Sequence, residues 1–315
     1  MFSGIGGFEE GIRNATKGKW KCVGYSEIEK NAVKVYERHF KGHKNYGDAT
    51  GIIPEQLPDF DFLCGGFPCQ AFSIAGKRGG FKDTRGTLFF EIARILSIKR
   101  PKLLLLENVK GLLSHDNGRT FGTILATLSE LGYFCEWQVL NSKDFGVPQN
   151  RERVFIVGHL GESSGREVFP IEGNSAEDIK RLGSMPGFRR YNQTYDISES
   201  VETLDTSSGG GHQPCVPVLT PDRTEKRQNG RRMKEDGEPS FTVTAQDQHG
   251  VYDGHRIRRL TPTECERLQG FPDGWTEGLS DSARYKCLGN AVTVNVIEAI
   301  ISKMVFTSSI TIKGE

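Results

Sequence analysis

Four leucines in a row, Leu103-Leu104-Leu105-Leu106, run directly into Glu107-Asn108-Val109 and constrain the fold more than any other stretch. A strand apolar toward both faces suits a parallel sheet covered by helices, because an antiparallel sheet with one wet face would alternate instead. Its carboxyl end then carries Glu107 into the crevice where open α/β sheets bind ligands. The flanking sequence agrees. The run Phe60-Asp61-Phe62-Leu63-Cys64 predicts a strand, and Leu88, Phe89, Ile92, Ile95 and Leu96 recur at helical spacing from Arg85 to Lys99. A second helix carries Phe121, Ile124, Leu125, Leu128 and Leu131 on one face, followed by strands near Glu136–Leu140 and Val154–Gly158. Upstream, Lys21–Tyr25 reads as a short strand, Asn31–Phe40 as a helix, and Gly47-Asp48 as the close of a third strand. The alternation is that of a doubly wound α/β sheet.

Glycine turns mark the ends of these strands. Gly65-Gly66-Phe67-Pro68-Cys69-Gln70 follows its strand directly, and two glycines with a fixed proline φ can hold one thiol in a set direction. By itself Cys69 could equally be a small buried apolar residue. Near the start, Gly4-Ile5-Gly6-Gly7 opens a helix whose free N–H groups suit a cofactor, but it lacks the GxGxxG spacing, which disfavours a dinucleotide. Glu27, about 20 residues on, sits where a ribose-hydroxyl ligand is expected; the alternative is a solvent-facing carboxylate favouring a helix start. The segment Ala71–Phe81, with adjacent Lys77 and Arg78, reads as a phosphate-friendly loop. Arg151 and Arg153, astride Glu152, form either a surface ion-pair ladder or a reach into the crevice.

Composition excludes several classes. With 36% hydrophobic and 26% charged residues, and no apolar run near the ~18 residues of a membrane span, the 315-residue chain is expected in the cytoplasm. Its seven cysteines are scattered without a CxxC pair or a Cys/His cluster at zinc spacing, so free thiols and no metal are expected. Net charge is only +1, yet between Asp222 and Lys234 six cations (Arg223, Lys226, Arg227, Arg231, Arg232, Lys234) oppose Asp222 and Glu225. That patch lies in a region, 161–250, where Gly, Ser, Asn, Pro and Gln replace the apolar runs and a second, smaller domain is expected. Within it Val201–Thr206 and Phe241–Ala245 each pair a Thr-rich short strand with a polar loop. Further on, Thr261 or Thr263 caps a helix, and Asn290–Val305 reads as the last helix.

Taken in order, Phe2-Ser3-Gly4-Ile5-Gly6-Gly7, Ser26-Glu27, Gly47-Asp48, Gly65–Gln70, Glu107-Asn108-Val109, Gln149-x-Arg151-x-Arg153 and Gly289-Asn290-Ala291-Val292 resemble the motif set of the DNA (cytosine-5) methyltransferases. The resemblance covers residues 2–160 and 256–304 well and is slight over 165–250, where that family keeps its target-recognition region. It implies an S-adenosylmethionine-dependent methyltransferase sheet with a smaller, irregular, β-rich recognition domain. Residues 1–165 with 285–315 would be catalytic and 166–284 would read the target. It further implies that Cys69 adds to C6 of a cytosine flipped out of double-stranded DNA, that Glu107 bonds to or protonates N3, and that Arg153 holds the base, with Arg151 or Arg153 favouring the thiolate. Phe2, Gly4, Gly6, Glu27, Ile28, Asp48, Leu88, Asn290 and Ala291 would line the S-adenosylmethionine pocket. A Thr-aliphatic-x-Ala signature falls on Thr242–Ala245. A monomer is expected, and three roles stay open: a pair with a cognate restriction endonuclease, phage protection, or an orphan enzyme. The rival readings are an RNA cytosine methyltransferase of the same fold and a non-catalytic DNA-binding module.

One departure stands out. In that family several apolar residues precede the glycine motif and form the central first strand, whereas here only Met1 precedes Phe2. The expectation is that the true start lies upstream, with Ser308–Ile312 or another chain as the alternative filler.

Overall fold

A computed structural model describes residues 1–68, 88–161, 168–173, 216–219, 233–235, 237–245, 249–252 and 257–307. Cys69, the segment 71–81, residues 201–206, the cations Arg223 to Arg232 and residues 308–312 lie outside the described residues. Contacts divide the chain into two units: Met1–Leu140 with Glu152–Ile171 and Ile297–Glu315, and Asn141–Arg151 with Glu172–Val296. Asn141–Arg151, which the sequence reading assigns to the first domain, thus groups with the second.

In the first unit the described helices are α1 (Gly7–Thr16), α2 (Lys30–His39), α3 (Leu88–Lys99) and α4 (Arg119–Glu130), together with the last helix of the chain from Ile297 on. The strands are β1 (Phe62–Gly66), β2 (Leu103–Val109), β3 (Tyr133–Asn141) and β4 (Glu152–Leu160), in the sheet order β1-β2-β4-β3. The sheet is mixed. β2 runs parallel to β1, with Gly66 opposite Glu107, and antiparallel to β4, with Val109 opposite Arg153. Leu104, Leu105 and Leu106 are fully buried, as a strand covered on both faces requires. α3 turns Phe89, Ile92, Ile95 and Leu96 inward and α4 turns Phe121, Ile124 and Leu128, so both helices pack on Leu104, Leu106, Val154 and Ile156. That packing fixes the carboxyl end of β2.

The expected strand at Lys21–Tyr25 is reduced to a single parallel bridge between Tyr25 and Asn45. Its second edge has no strand beside it among the described residues, and a strand paired on one side only has half its ladder bonds.

In the second unit β5 (Val216–Leu219), β6 (His249–Tyr252) and β7 (Ile257–Arg259) form an antiparallel sheet. Helix α5 (Pro262–Leu268) starts at Thr261, which closes a capping box with Glu264. α6 (Asp281–Asn290), which the sequence reading passed over, ends where Ala291 turns extended at ψ 151°. The expected last helix, Asn290–Val305, is α7 (Val294–Thr307), which starts four residues later and from Ile297 on belongs to the first unit. Asn290 therefore closes α6. By length and composition alone Asp281–Met304 could cross a membrane; the break at Ala291 and the burial of Leu288, Val294, Ile297 and Ile300 make it two core helices.

Candidate active site

Three residues of the opening turn, Phe2, Gly4 and Gly6, have positive φ of 53°, 54° and 88°. At Gly6, the cap of α1, a side chain would also strike the Phe40 ring, at 2.5 Å from the position of its Cβ. The turn is tied to its neighbours through Glu27. Gly4 N–H donates to Glu27 Oε2 at 2.8 Å, and Ile28 and Glu29 N–H donate to Oε1 at 2.9 and 2.8 Å. Asn45, which the sequence reading passed over, joins this group to the third segment. Its Oδ1 accepts from Glu27 N–H and Gly47 N–H and its Nδ2 donates to Glu27 O, while Ser26 Oγ donates to Gly47 O at 2.7 Å. Asp48 follows, exposed, its carboxyl held below the usual range by the Thr50 N–H and hydroxyl. Ile28 is 70% exposed, unusual for an isoleucine beside a packed sheet. The structure thus brings Gly4, Gly6, Glu27, Ile28 and Asp48 to one end of the sheet. Leu88, half-buried, opens α3.

The second group gathers at the carboxyl ends of β1 and β2. Glu107 and Arg153 pair at 3.1 Å (Oε1 to Nε), both side chains mostly buried. Burial pulls the Arg153 pKa down and the Glu107 charge opposes that shift, although a guanidinium stays protonated in either case. Glu107 lies across Gly66, where an added Cβ would sit 2.9 Å from Oε2, so the glycine makes room for the carboxylate. Buried Asn108 donates to Phe67 O at 2.8 Å and fixes the chain where it leaves β1. Pro68 is the last described residue before Cys69. Of the other thiols, burial pushes Cys64, Cys135 and Cys265 up to about 12 and raises Cys22. None of these four is a thiolate at neutral pH.

Arg151 is placed differently. It is 3% exposed, and its guanidinium donates to Val243 O at 2.8 Å, Ala291 O at 2.7 Å and Gly289 O at 3.3 Å, all within the second unit. Beside it, fully buried Gln149 donates to Leu268 O and accepts from Val243 N–H, both at 2.7 Å, and Thr242 Oγ1 donates to Asn150 O. Gly289 packs so tightly on Thr244 and Ala245 that a Cβ would overlap their backbone. Thr242–Ala245 is therefore stitched to both Gln149–Arg151 and the Gly289–Ala291 turn.

A family model described as C-5 cytosine-specific DNA methylase matches residues 1–305. The chain belongs to that family. This methylase is 42% identical to the type II methyltransferase M1.ScrFI of Lactococcus lactis subsp. cremoris, over 96% of the chain and 76% of the relative. It is 40% identical to M.HpaII of Haemophilus parainfluenzae (96% and 87%) and 35% identical to the orphan methyltransferase M.SPRI of Bacillus phage SPR (98% and 97%). Among solved structures it is similar to the S. pombe Dnmt2 methyltransferase, with TM-score 0.63 and 19% identity over 96% of this chain and 95% of that one. A putative DNA modification methyltransferase from an E. coli prophage gives TM-score 0.61 and 18% identity over 97% of each. These two likenesses bear on the fold, which is that of a methyltransferase. The methylase acts on DNA, where it methylates cytosine at C5, and as a methyltransferase of this family it uses S-adenosylmethionine.

Three positioning residues of the methylase, Asn45, Asn108 and Gly289, escaped the sequence reading as individual roles. Asn108 and Gly289 fall inside motifs but act on backbone 41 residues and more away in the chain. Only Asn45 left a local signal, two residues before the Gly47-Asp48 turn it braces.

Proposed function

We propose that Cys69 is the nucleophile of this methylase and that Glu107 and Arg153 form the polar wall against which the flipped cytosine sits. The observation that carries the reading is the Glu107–Arg153 pair, packed across Gly66 three residues before Cys69. Cytosine C5 is a poor nucleophile. When Cys69 Sγ bonds to C6, the ring electrons move toward C5 and N3, and Glu107, hydrogen-bonded to or protonating N3, stabilises that charge. Arg153 fixes the carboxylate's direction and holds the base. Loss of the C5 proton, with water as its acceptor, returns the electrons, and the S–C6 bond breaks. S-adenosylmethionine, when bound, supplies an electrophilic methyl group to C5.

The residues of the opening turn and of the segments after Tyr25 and Asn45 fit that cofactor. A nucleoside needs backbone that can be approached closely and acids for its hydroxyls; nothing lies within 4 Å of a Cβ built on Gly4, and the Asp48 carboxylate and Ile28 side chain are exposed. Phe2, Gly4, Gly6, Glu27, Ile28, Asp48 and Leu88 are assigned to the pocket on this ground, and Asn290 and Ala291 on their motif. Arg151 acts as a positioning residue, because its terminal nitrogens already serve three carbonyls. Residues 166–284 read the target, with Thr242–Ala245 as the base-reading edge. The enzyme works as a monomer in the cytoplasm on duplex DNA.

The test is Cys69→Ala. Methyl transfer should fall by more than about a thousandfold, equivalent to about 4 kcal/mol of barrier, with S-adenosylmethionine binding retained. DNA carrying 5-fluorocytosine at the target should trap the wild-type enzyme covalently, since fluorine cannot leave as a proton. Absence of that adduct overturns the mechanism.

A further inference from the structure

Within the second unit, residues 240–243 are tied along one piece of chain. Ser240 N–H donates to Pro148 O at 2.9 Å, and Asn150 N–H donates to Ser240 O at 3.0 Å. Thr242 gives its hydroxyl to Asn150 O, while Val243 has its N–H on Gln149 and its carbonyl on Arg151. At Thr244 a different element takes hold. Thr244 N–H donates to His249 Nε2 at 3.2 Å. His249 is 7% exposed and opens β6, where Leu260 N–H donates to its carbonyl at 2.8 Å and Leu219 of β5 lies opposite it. The imidazole thus stands on a paired sheet and reaches back five residues along the chain.

A ring nitrogen accepts a hydrogen bond only when it carries no proton, so this imidazole is neutral with its hydrogen on Nδ1. Gly289 closes in on the same backbone: a Cβ there would lie 2.2 Å from both Thr244 C and Ala245 N. Ala245, next along, is exposed. The direction in which Thr244 and Ala245 leave the anchored stretch is therefore set by a side chain of β6 and not by residues 148–151 alone.

We propose that His249 is a positioning residue for target discrimination. By accepting from Thr244 N–H it fixes the angle at which Thr244 and Ala245 meet the base pairs beside the flipped cytosine, and so which base edges they read. Small errors of direction matter, because a hydrogen bond weakens steeply once bent below about 120°. This role rests on the proposed assignment of Thr242–Ala245 as the base-reading edge, and is independent of the roles given to Cys69 and the cofactor pocket.

Two variants separate the hydrogen bond from the ring. His249→Gln sets an amide oxygen near the place of Nε2, and His249→Phe keeps the ring and loses the acceptor. Each full chain is incubated with genomic DNA and S-adenosylmethionine, and new 5-methylcytosines are mapped. Discrimination is the initial rate at the preferred sequence over that at sequences one base pair away. Both rates pass through the same chemistry and cofactor, so a general loss of catalytic power cancels in the ratio. His249→Phe should lower the ratio about tenfold or more, and His249→Gln should hold it within about threefold of the wild type. Hydrogen exchange of the free enzyme at the Thr244 amide should be about tenfold faster in His249→Phe and close to wild type in His249→Gln.

Unchanged Thr244 exchange in His249→Phe overturns the hydrogen bond, and the proposal with it. A ratio that falls equally in both variants reduces His249 to packing and also overturns it. Faster exchange with an unchanged ratio would move base reading away from Thr242–Ala245, which overturns that assignment together with the role of His249 in it. If His249→Phe does not fold, His249→Leu, smaller than the ring, takes its place under the same readings.

Discussion

Two positions separate Arg151 from Arg153, yet the first places its guanidinium on the carbonyls of Val243, Gly289 and Ala291 while the second pairs with Glu107. Their variants should fail differently. Arg151→Met keeps most of the stem and removes every donor, leaving buried carbonyls without partners; a loss of about 3 kcal/mol in urea unfolding is expected. Glu107→Gln keeps shape and loses the group proposed to handle the N3 proton. It should lower single-turnover methyl transfer by about 10²- to 10⁴-fold, with the melting temperature and DNA affinity nearly unchanged. Arg153→Lys retains charge without the planar fork, so kcat should drop while stability holds. Glu107 was legible in the sequence because an acid ending a leucine strand has one natural destination. The work of Arg151 was not, since its partners lie 92 to 140 residues away and sequence spacing carries no trace of them.

At the scale of elements, α5 offers the clearest measurement. Thr261 Oγ1 accepts from Glu264 N–H, Glu264 accepts from Thr261 N–H, and Arg258 donates to both Glu264 oxygens at 2.8 and 3.0 Å. Thr261→Ala should cost about 1 kcal/mol. Burial would raise the Glu264 pKa, but Arg258 and the Thr261 N–H outweigh it and hold the carboxyl below the usual range. A depressed folded value means the stabilisation is complete above the ordinary glutamate range and is lost as pH falls through the lower folded value. Thermal melts from about pH 6 to about pH 3 should therefore show a smaller acid loss for Glu264→Gln than for the wild type. Elements with strong periodicity, α2, α3, α4 and β2, were legible from sequence to within a few residues. Lys21–Tyr25 was not, because its ladder depends on what lies beside it; nor was the start of α7 at Val294, because Ala291 and Val292 are as apolar as the helix that follows and only the backbone of Ala291 turns extended.

For the whole molecule, the division into units follows contacts and not chain order. The chain passes from one unit to the other after Leu140, Arg151, Ile171 and Val296. The short piece Asn141–Arg151 is flanked on both sides by strands of the first unit, yet its Gln149, Asn150 and Arg151 hold Thr242 and Val243 of the second. This has a bearing on how sequence specificity could be exchanged between relatives. The proposed recognition region, transplanted within the single block 172–296, would arrive without the arginine and glutamine that fasten Thr242–Ala245. A donor with a different 141–151 piece would leave Val243, Gly289 and Ala291 facing side chains shaped for other carbonyls. On the proposed assignment of target reading to the second unit, the portable unit of specificity is two pieces of chain, and recombination that preserves function should show paired breakpoints, one set around Asn141–Arg151 and one around Glu172–Val296.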